Sequence, residues 1–486
     1  MNKILSVLII GTFITVQAQD KILELPVKEN YRNIQNIYTE NGTSFIVTGN
    51  DKLKKTIVNI TRYDSVFNLK YSKDFPSDYE GKPSYASTTP QNFYNLQATP
   101  KGQHAVGIWD YIILDDMGNV SPFAMSYEYN MKDFDSNFDI MTDDYKCFFG
   151  YRKPQGKKKT EEQTSICRIN LNTLAKDFIP LDFPNFESLL TSAKAQKSSK
   201  EEAKKLWGIS YFNSKQFFMI NKELSKDWSE NQYNIVSFDY DGKLNTNTSR
   251  SILVQLKNKY FALSDTGFGS SKIISGGMVG GAYMDEASTG NIFVEGKNEF
   301  YYIYGLYANE KNSNMNKAKY NGFYIYKYNA KGELVWKTEQ SISNSKFNDA
   351  QRPLAITVEL RMLQNNQFGL NIYSEFEKYA HFFLINSKDG EVIKTQSPLY
   401  KIDQYRRYGV NKGSFCTGFF MEKEFKNKYM DINTIFAAFL NPKVHTFLSK
   451  SSNEDLNYNC RINSNGIYLM EEEVEAKKFK LMEFNW

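Results

Sequence analysis

The chain has 486 residues, 41% hydrophobic and 15% aromatic, with a formal charge of +5 from 60 basic and 55 acidic side chains. The two signs are interspersed, which excludes the basic stripe of a nucleic-acid binder; the one dense cluster, Arg152, Lys153 and Lys157 to Lys159, reads as a solvated hairpin tip. Beyond the N-terminus no stretch is apolar for the roughly 18 residues that a membrane helix needs, so no membrane insertion is expected.

The chain begins with Lys3, an apolar run from Ile4 to Val16, and Val16 and Ala18 in the small-residue places of a cleavage site before Gln19. That is the form of a signal peptide over residues 1–18. No cysteine follows the cut, so an ordinary exported protein is expected, secreted or periplasmic, with residues 19–486 as a single domain.

After this leader the sequence is dominated by short alternating runs of Tyr, Phe, Ile, Val and Thr, which is strand chemistry. A hairpin recurs, with a polar turn of Asp, Asn, Lys and Gly between two such runs, because tight turns need side-chain capping or positive φ. The first copies are ITRYDSVFNLKY at 60–71 and YIILDDMGNVSPF at 111–123. Cys147 and Cys167 lie on two later strands placed symmetrically about a turn near Gly156, where a cross-strand or neighbouring disulfide or two buried thiols are the alternatives. Further hairpins come at 166–178 and 235–247, separated by a stretch at 186–206 whose spacing of Leu and Ala predicts an inserted surface helix or flexible loop. The stretch 265–290 is dense in glycine and poor in charge, and reads as a loop. It presents Tyr283, Asp285 and Glu286 as candidate ligand contacts.

YIYKYNAKGELVWK at 324–337 and HFFLINSKDGEVIK at 381–394 continue the series, and FAAFLNPKVHTFL at 436–448 is read as a weaker seventh hairpin. Between the last two, Tyr405, Arg406, Arg407 and Tyr408 place two guanidinium groups between aromatics, a pattern suited to carboxylate, sugar or peptide. The turns fall mostly 50 to 60 residues apart. Residues 354–397 form four strands joined by short connections, which is the size of a propeller blade. The fold expected is all-β, a propeller of about seven four-stranded blades (range six to eight) with one inserted surface helix. KILELPVK at 21–28 and the strands of 466–486 are the candidates for closing the ring. The turns YNAKGELVWK and INSKDGEVIK resemble the outer hairpins of bacterial β-propeller proteins, including quinoprotein-like and other secreted families.

Chemistry is harder to find. The sequence has three histidines, His104, His381 and His445, none in a metal-ligand spacing, and no GxSxG, GxxxxGK[ST] or GxGxxG motif. Asp239, Asp241 and Asn245 imitate a calcium loop with the glycine at the wrong offset, and Glu375 and Glu377 share one strand face without a sign of divergent acidity. No cofactor or metal is implied. The expectation is an exported, monomeric, non-catalytic binding or interaction propeller for a glycan, peptide or protein. The alternative is a polysaccharide- or peptide-acting hydrolase or lyase with carboxylates, or Tyr and Arg, in a central funnel.

Overall fold

The structure is a computed structural model that describes residues 21–25, 31–39, 42–50, 56–64, 66–76, 85–88, 94–98, 108–114, 120–128, 134–141, 144–152, 163–170, 175–191, 207–212, 215–225, 227–261, 287–288, 292–295, 300–311, 321–342, 356–374, 380–398, 401–405, 416–420, 425, 428–450, 456–462, 466–473 and 478–486. Among these residues the strands form seven small sheets that follow one another along the chain. The first spans 31–76, the second 85–128, the third 134–180 and the fourth 208–255. The first four sheets are four-stranded antiparallel meanders. In the fifth, Tyr260–Phe261 and Ile292–Glu295 share one edge of Phe300–Ala308, followed by Gly322–Tyr328 and Leu334–Ser341. In the sixth, Ala287–Ser288 lies beside Ile356–Leu363 and the meander ends at Gln396. The seventh collects six strands from residues 401 to 485 and is completed by the N-terminal strand Lys21–Leu25, paired antiparallel to Lys478–Asn485. The expected pairing of the two chain ends is thus present.

Alternation of side chains gives each sheet two apolar faces, and the buried residues gather between sheets. One cluster joins Phe149 and Ile166 of the third sheet to Phe217, Val236 and Phe238 of the fourth. Others join the fourth to the fifth through Tyr233 and Tyr324, and the fifth to the sixth through Tyr302 and Phe368. Phe382 of the sixth meets Leu469 of the seventh in the next, and Leu481 of the seventh meets Tyr63 of the first in the last. From the third sheet to the seventh each sheet therefore packs against the next, and residues of the seventh pack against the first.

The recurring turn has one construction. Asp64, Asp239 and Asn329 each accept, at Oδ1, the amides two and four residues on, at 2.8 to 3.0 Å. The residue three places on then takes positive φ: Phe67 at 67°, Gly242 at 78° and Gly332 at 79°. This is an Asx-capped turn with a left-handed residue, the usual partner of a bulge that tightens strand twist. Each turn docks on the preceding sheet. Arg168 of the third sheet donates to Tyr240 O at 3.1 Å, and Arg250 of the fourth donates to Ala330 O at 2.6 Å. Trp336 of the fifth donates Nε1 to Ser387 O at 3.0 Å, in the turn of the sixth. At the chain ends, Lys21 of the seventh sheet lies 5.8 Å from the Phe67 ring in the turn of the first.

One expectation is corrected, and two alternatives that the sequence left open are narrowed. The segment 436–448 is a pair of helices, α1 (Ile432–Leu440) and α2 (Pro442–Lys450), not a hairpin. Asp431 caps α1 by accepting the Thr434 amide at 2.8 Å, and Ile432, Ile435, Phe436 and Phe439 recur at helical spacing and are buried. Asn441 ends α1 by donating its backbone N–H to Ala437 O, and its Oδ1 accepts the Lys443 amide at the start of α2, so one residue serves both helices. Their junction still docks on the preceding sheet, where Lys394 donates to Phe439 O at 2.5 Å. Next, residues 186–191 of the predicted insertion are not helical, and 192–206 lie outside the described residues. Finally, Cys147 and Cys167 are buried thiols and form no disulfide. Register pairs Cys147 with Arg168 and Cys167 with Phe148, one place out of step, so the two sulfurs project from opposite faces of the sheet.

Candidate functional site

Of the residues singled out in the sequence, Tyr283, Asp285, Glu286, Arg406, Arg407 and Tyr408 lie outside the described residues, as do Glu375, Glu377, His104 and the expected leader over 1–18. Tyr405 ends the strand Lys401–Tyr405, paired with Cys416. Asp239 and Asp241 belong to a docking turn, where their oxygens receive backbone amides and Arg168. His381 is buried, its Nδ1 lies 2.7 Å from Ser397 Oγ, and burial lowers its pKa to about 4. A base that weak, enclosed by packing, reads as a buried polar contact.

The chemistry instead concentrates on the strand Glu230–Asp239 of the fourth sheet. Its even-numbered positions face the third sheet, and the face changes character halfway. Val236 and Phe238 join the apolar cluster, while Glu230, Gln232 and Asn234 form a row of buried polar side chains. Such a row costs several kcal/mol unless each group finds a partner.

The partner is the segment 181–191, which leaves the third sheet and runs back over this face in the direction opposite to the strand. Leu181, Phe183 and Phe186 cover the apolar half. Phe183 stacks on Trp207 with ring centroids 4.5 Å apart and meets Phe238 edge-on at 5.3 Å. Over the polar half the segment is held by its main chain. Gln232 donates Nε2 to Glu187 O at 2.9 Å and accepts the Leu189 amide at Oε1 at 2.6 Å. Glu230 accepts the Thr191 amide at 2.8 Å and also its hydroxyl. The gripped positions, 187, 189 and 191, are two apart, the period of an extended chain. Neighbours hold the gripping groups in place: Gln255 donates to Glu230 at 2.7 Å, and Ser251 donates to Asn234 Oδ1 at 2.7 Å, itself 2.9 Å from Gln232 Nε2. The sequence held a weak signal for this row, the polar residues Glu230, Gln232 and Asn234 leading into the apolar Ile235, Val236 and Phe238, but nothing in it pairs them with residues 187–191.

A second polar cluster lies between the sixth and seventh sheets. Arg361 pairs with Glu359 at 2.9 Å and donates to Asn433 Oδ1 at 3.2 Å and Ile462 O at 3.4 Å. Burial opposes its charge, yet the Glu359 carboxylate outweighs burial and raises its pKa. Asp431, which caps α1, also stands near the Cys460 thiol, and burial together with that carboxylate pushes the thiol up. The cluster fastens the helix pair to the sixth sheet. No group of three or more metal-ligating side chains occurs among the described residues.

No protein-family model matches the chain, and no curated protein matches it. Solved structures similar to it include a prolyl endopeptidase (11% identity, 82% of this chain and 55% of that chain, TM-score 0.30). Another is the acylaminoacyl peptidase of Pyrococcus horikoshii (9% identity, 82% and 58%, TM-score 0.30). A third is the β-propeller domain of the Trilobed protease from Pyrococcus furiosus (7% identity, 95% and 96%, TM-score 0.36). The chain spans little more than half the length of the two peptidases. These neighbours correct the expectation of a non-catalytic binding or interaction module, since the propellers that this chain resembles include those of peptidases; at such scores they assign it no activity.

Proposed function

We propose that the protein is an exported, closed seven-bladed β-propeller that acts on polypeptide, holding it as an extended chain against the fourth sheet. The ring is supported by the order of the apolar junctions and by the N-terminal strand added to the last sheet. It is also supported by contacts between opening strands of successive sheets: Tyr31–Thr39 lies against Tyr85–Thr88, and Gly208–Phe212 against Ile292–Glu295. Opening strands that gather in this way surround an axis. Export rests on the leader-like residues 1–18.

The observation that carries the polypeptide reading is the two-point grip of Gln232 on Glu187 O and Leu189 N. An amide side chain that both donates to and accepts from a neighbouring main chain reads what every peptide has in common, and Glu230 repeats the contact two residues on. A glycan offers no such alternation of N–H and C=O. The test uses the mature chain with a fluorescent, permanently unfolded casein and with a folded protein of similar size, followed by mass spectrometry of the casein. Saturable binding of the unfolded chain alone is expected, with new casein termini if bond cleavage accompanies it. Equal affinity for the folded protein, or no binding, overturns the reading.

A further inference from the structure

We propose that the segment 181–191 is a resident pseudo-ligand, and that the polypeptide recognised in its place carries two aromatic side chains three residues apart, immediately ahead of the gripped main chain. This rests on the polypeptide reading above and adds to it a specificity and a competitor.

The grip is independent of side-chain identity, because it engages Glu187 O, Leu189 N and Thr191 N; of these residues only Thr191 adds a side-chain contact, its hydroxyl to Glu230. Any extended chain would satisfy Gln232 and the Glu230 carboxylate equally well. The selective contacts lie upstream. Phe183 and Phe186 bracket Trp207, at 4.5 Å and 6.4 Å between centroids, and Phe183 reaches Phe238. Aromatic anchors on an apolar half with main-chain bonds on a polar half divide recognition into a specific and a general part. Lastly, the downstream half of the segment is held by polar contacts alone, from the Leu189 amide to Gln232 and from the Thr191 amide and hydroxyl to Glu230, and Leu189 itself is 41% exposed. A competing chain therefore displaces the segment from its downstream end, with the aromatic pair last to leave.

The experiment measures anisotropy of a labelled synthetic peptide with the sequence of residues 182–191, and of a second peptide with both phenylalanines replaced by serine. The proteins are wild type, Leu189→Pro, which removes the gripped amide, and Thr191→Ala, which removes only the hydroxyl contact. The parent peptide is expected to bind Leu189→Pro at least tenfold more tightly than wild type, with a smaller gain for Thr191→Ala, and the serine peptide to bind each protein at least tenfold more weakly. Should Leu189→Pro fail to fold, the Thr191→Ala gain decides. Equal affinity of the parent peptide for all proteins, or of both peptides for one protein, overturns the inference while leaving intact a polypeptide reading supported by unfolded casein. If neither the peptides nor casein bind any of the proteins, both fall.

Discussion

The two halves of one strand face carry the lesson of this molecule. Along Glu230–Asp239 the same even-numbered positions, on the same side of the same sheet, are polar for Glu230, Gln232 and Asn234 and apolar for Val236 and Phe238. The apolar half does what every junction between sheets does, and its partners are the rings and aliphatic groups of the third sheet. The polar half packs no apolar surface; it holds the segment 181–191 by hydrogen bonds and would destabilise the fold if left bare. A fold departs from its own packing rule where another requirement competes with it, and here that requirement is a grip on main chain.

The sharpest way to separate the halves is to damage each in turn. Phe238→Ala removes a fully buried ring from the apolar half and is expected to cost about 3–5 kcal/mol, read as a large fall in the denaturation midpoint. A loss below about 1 kcal/mol would mean that this half is not core. On the polar side, Gln232→Ala leaves the Leu189 amide and the Glu187 carbonyl without their partner, and about 1–3 kcal/mol is expected. The loss should be accompanied by faster hydrogen exchange at residue 189 and not at Phe238. Uniformly faster exchange over the sheet would erase the distinction between a grip and a core.

The same contrast of local rule and specific contact applies to the docking turns. Gly390 and Gly332 sit at φ 78° and 79°, where a side chain costs roughly 1 kcal/mol. A Cβ at Gly390 would also come within 2.6 Å of the Trp336 ring, whereas at Gly332 its nearest neighbour is 3.8 Å away. Gly390→Ala should therefore cost about 2–4 kcal/mol and Gly332→Ala about 1 kcal/mol, measured by urea denaturation. Equal losses would show that the turn conformation, and not its docking on Trp336, sets the cost.

His381 supplies an effect confined to a limited pH range. Burial holds its folded pKa at about 4, below the unfolded value of about 6.5, so the unfolded chain binds the extra proton first as pH falls. Stability is therefore full above about pH 6.5 and declines towards pH 4, by at most about 3 kcal/mol. His381→Gln should flatten that part of the stability profile, and an unchanged slope would assign the decline to carboxylates.

Much of the scaffold was legible in the sequence because its turns are local. Asp64, Asp239, Asn329 and Asn386 announce themselves by residue type and by the turn-forming residues directly after them, and the interval between them sets the size of each sheet. The helix pair was missed because Phe436, Phe439, Val444 and Phe447 suit strands by composition and Asn441 with Pro442 between them suit a turn. The decisive marks were Asp431 with Thr434, and Pro442 directly after Asn441, which are caps and not content. Disulfide and buried thiols stayed open alternatives for Cys147 and Cys167 because register, a one-residue matter, is not determined by spacing about a turn. The grip was invisible for a different reason: Gln232 lies 45 positions from Glu187, and polar residues alternating along a strand ordinarily mean a solvated face. Only the fold turns that row inward and lays the segment 181–191 across it.

The most direct measurement of the central claim is hydrogen exchange of residues 19–486, resolved by residue, with and without saturating unfolded casein. In the chain alone the amides of Leu189 and Thr191 should be protected; with casein bound they should exchange freely, while the strand Glu230–Asp239 stays protected. Changes confined to other sheets, or unaltered protection at Leu189 and Thr191 when casein is bound, would contradict the account.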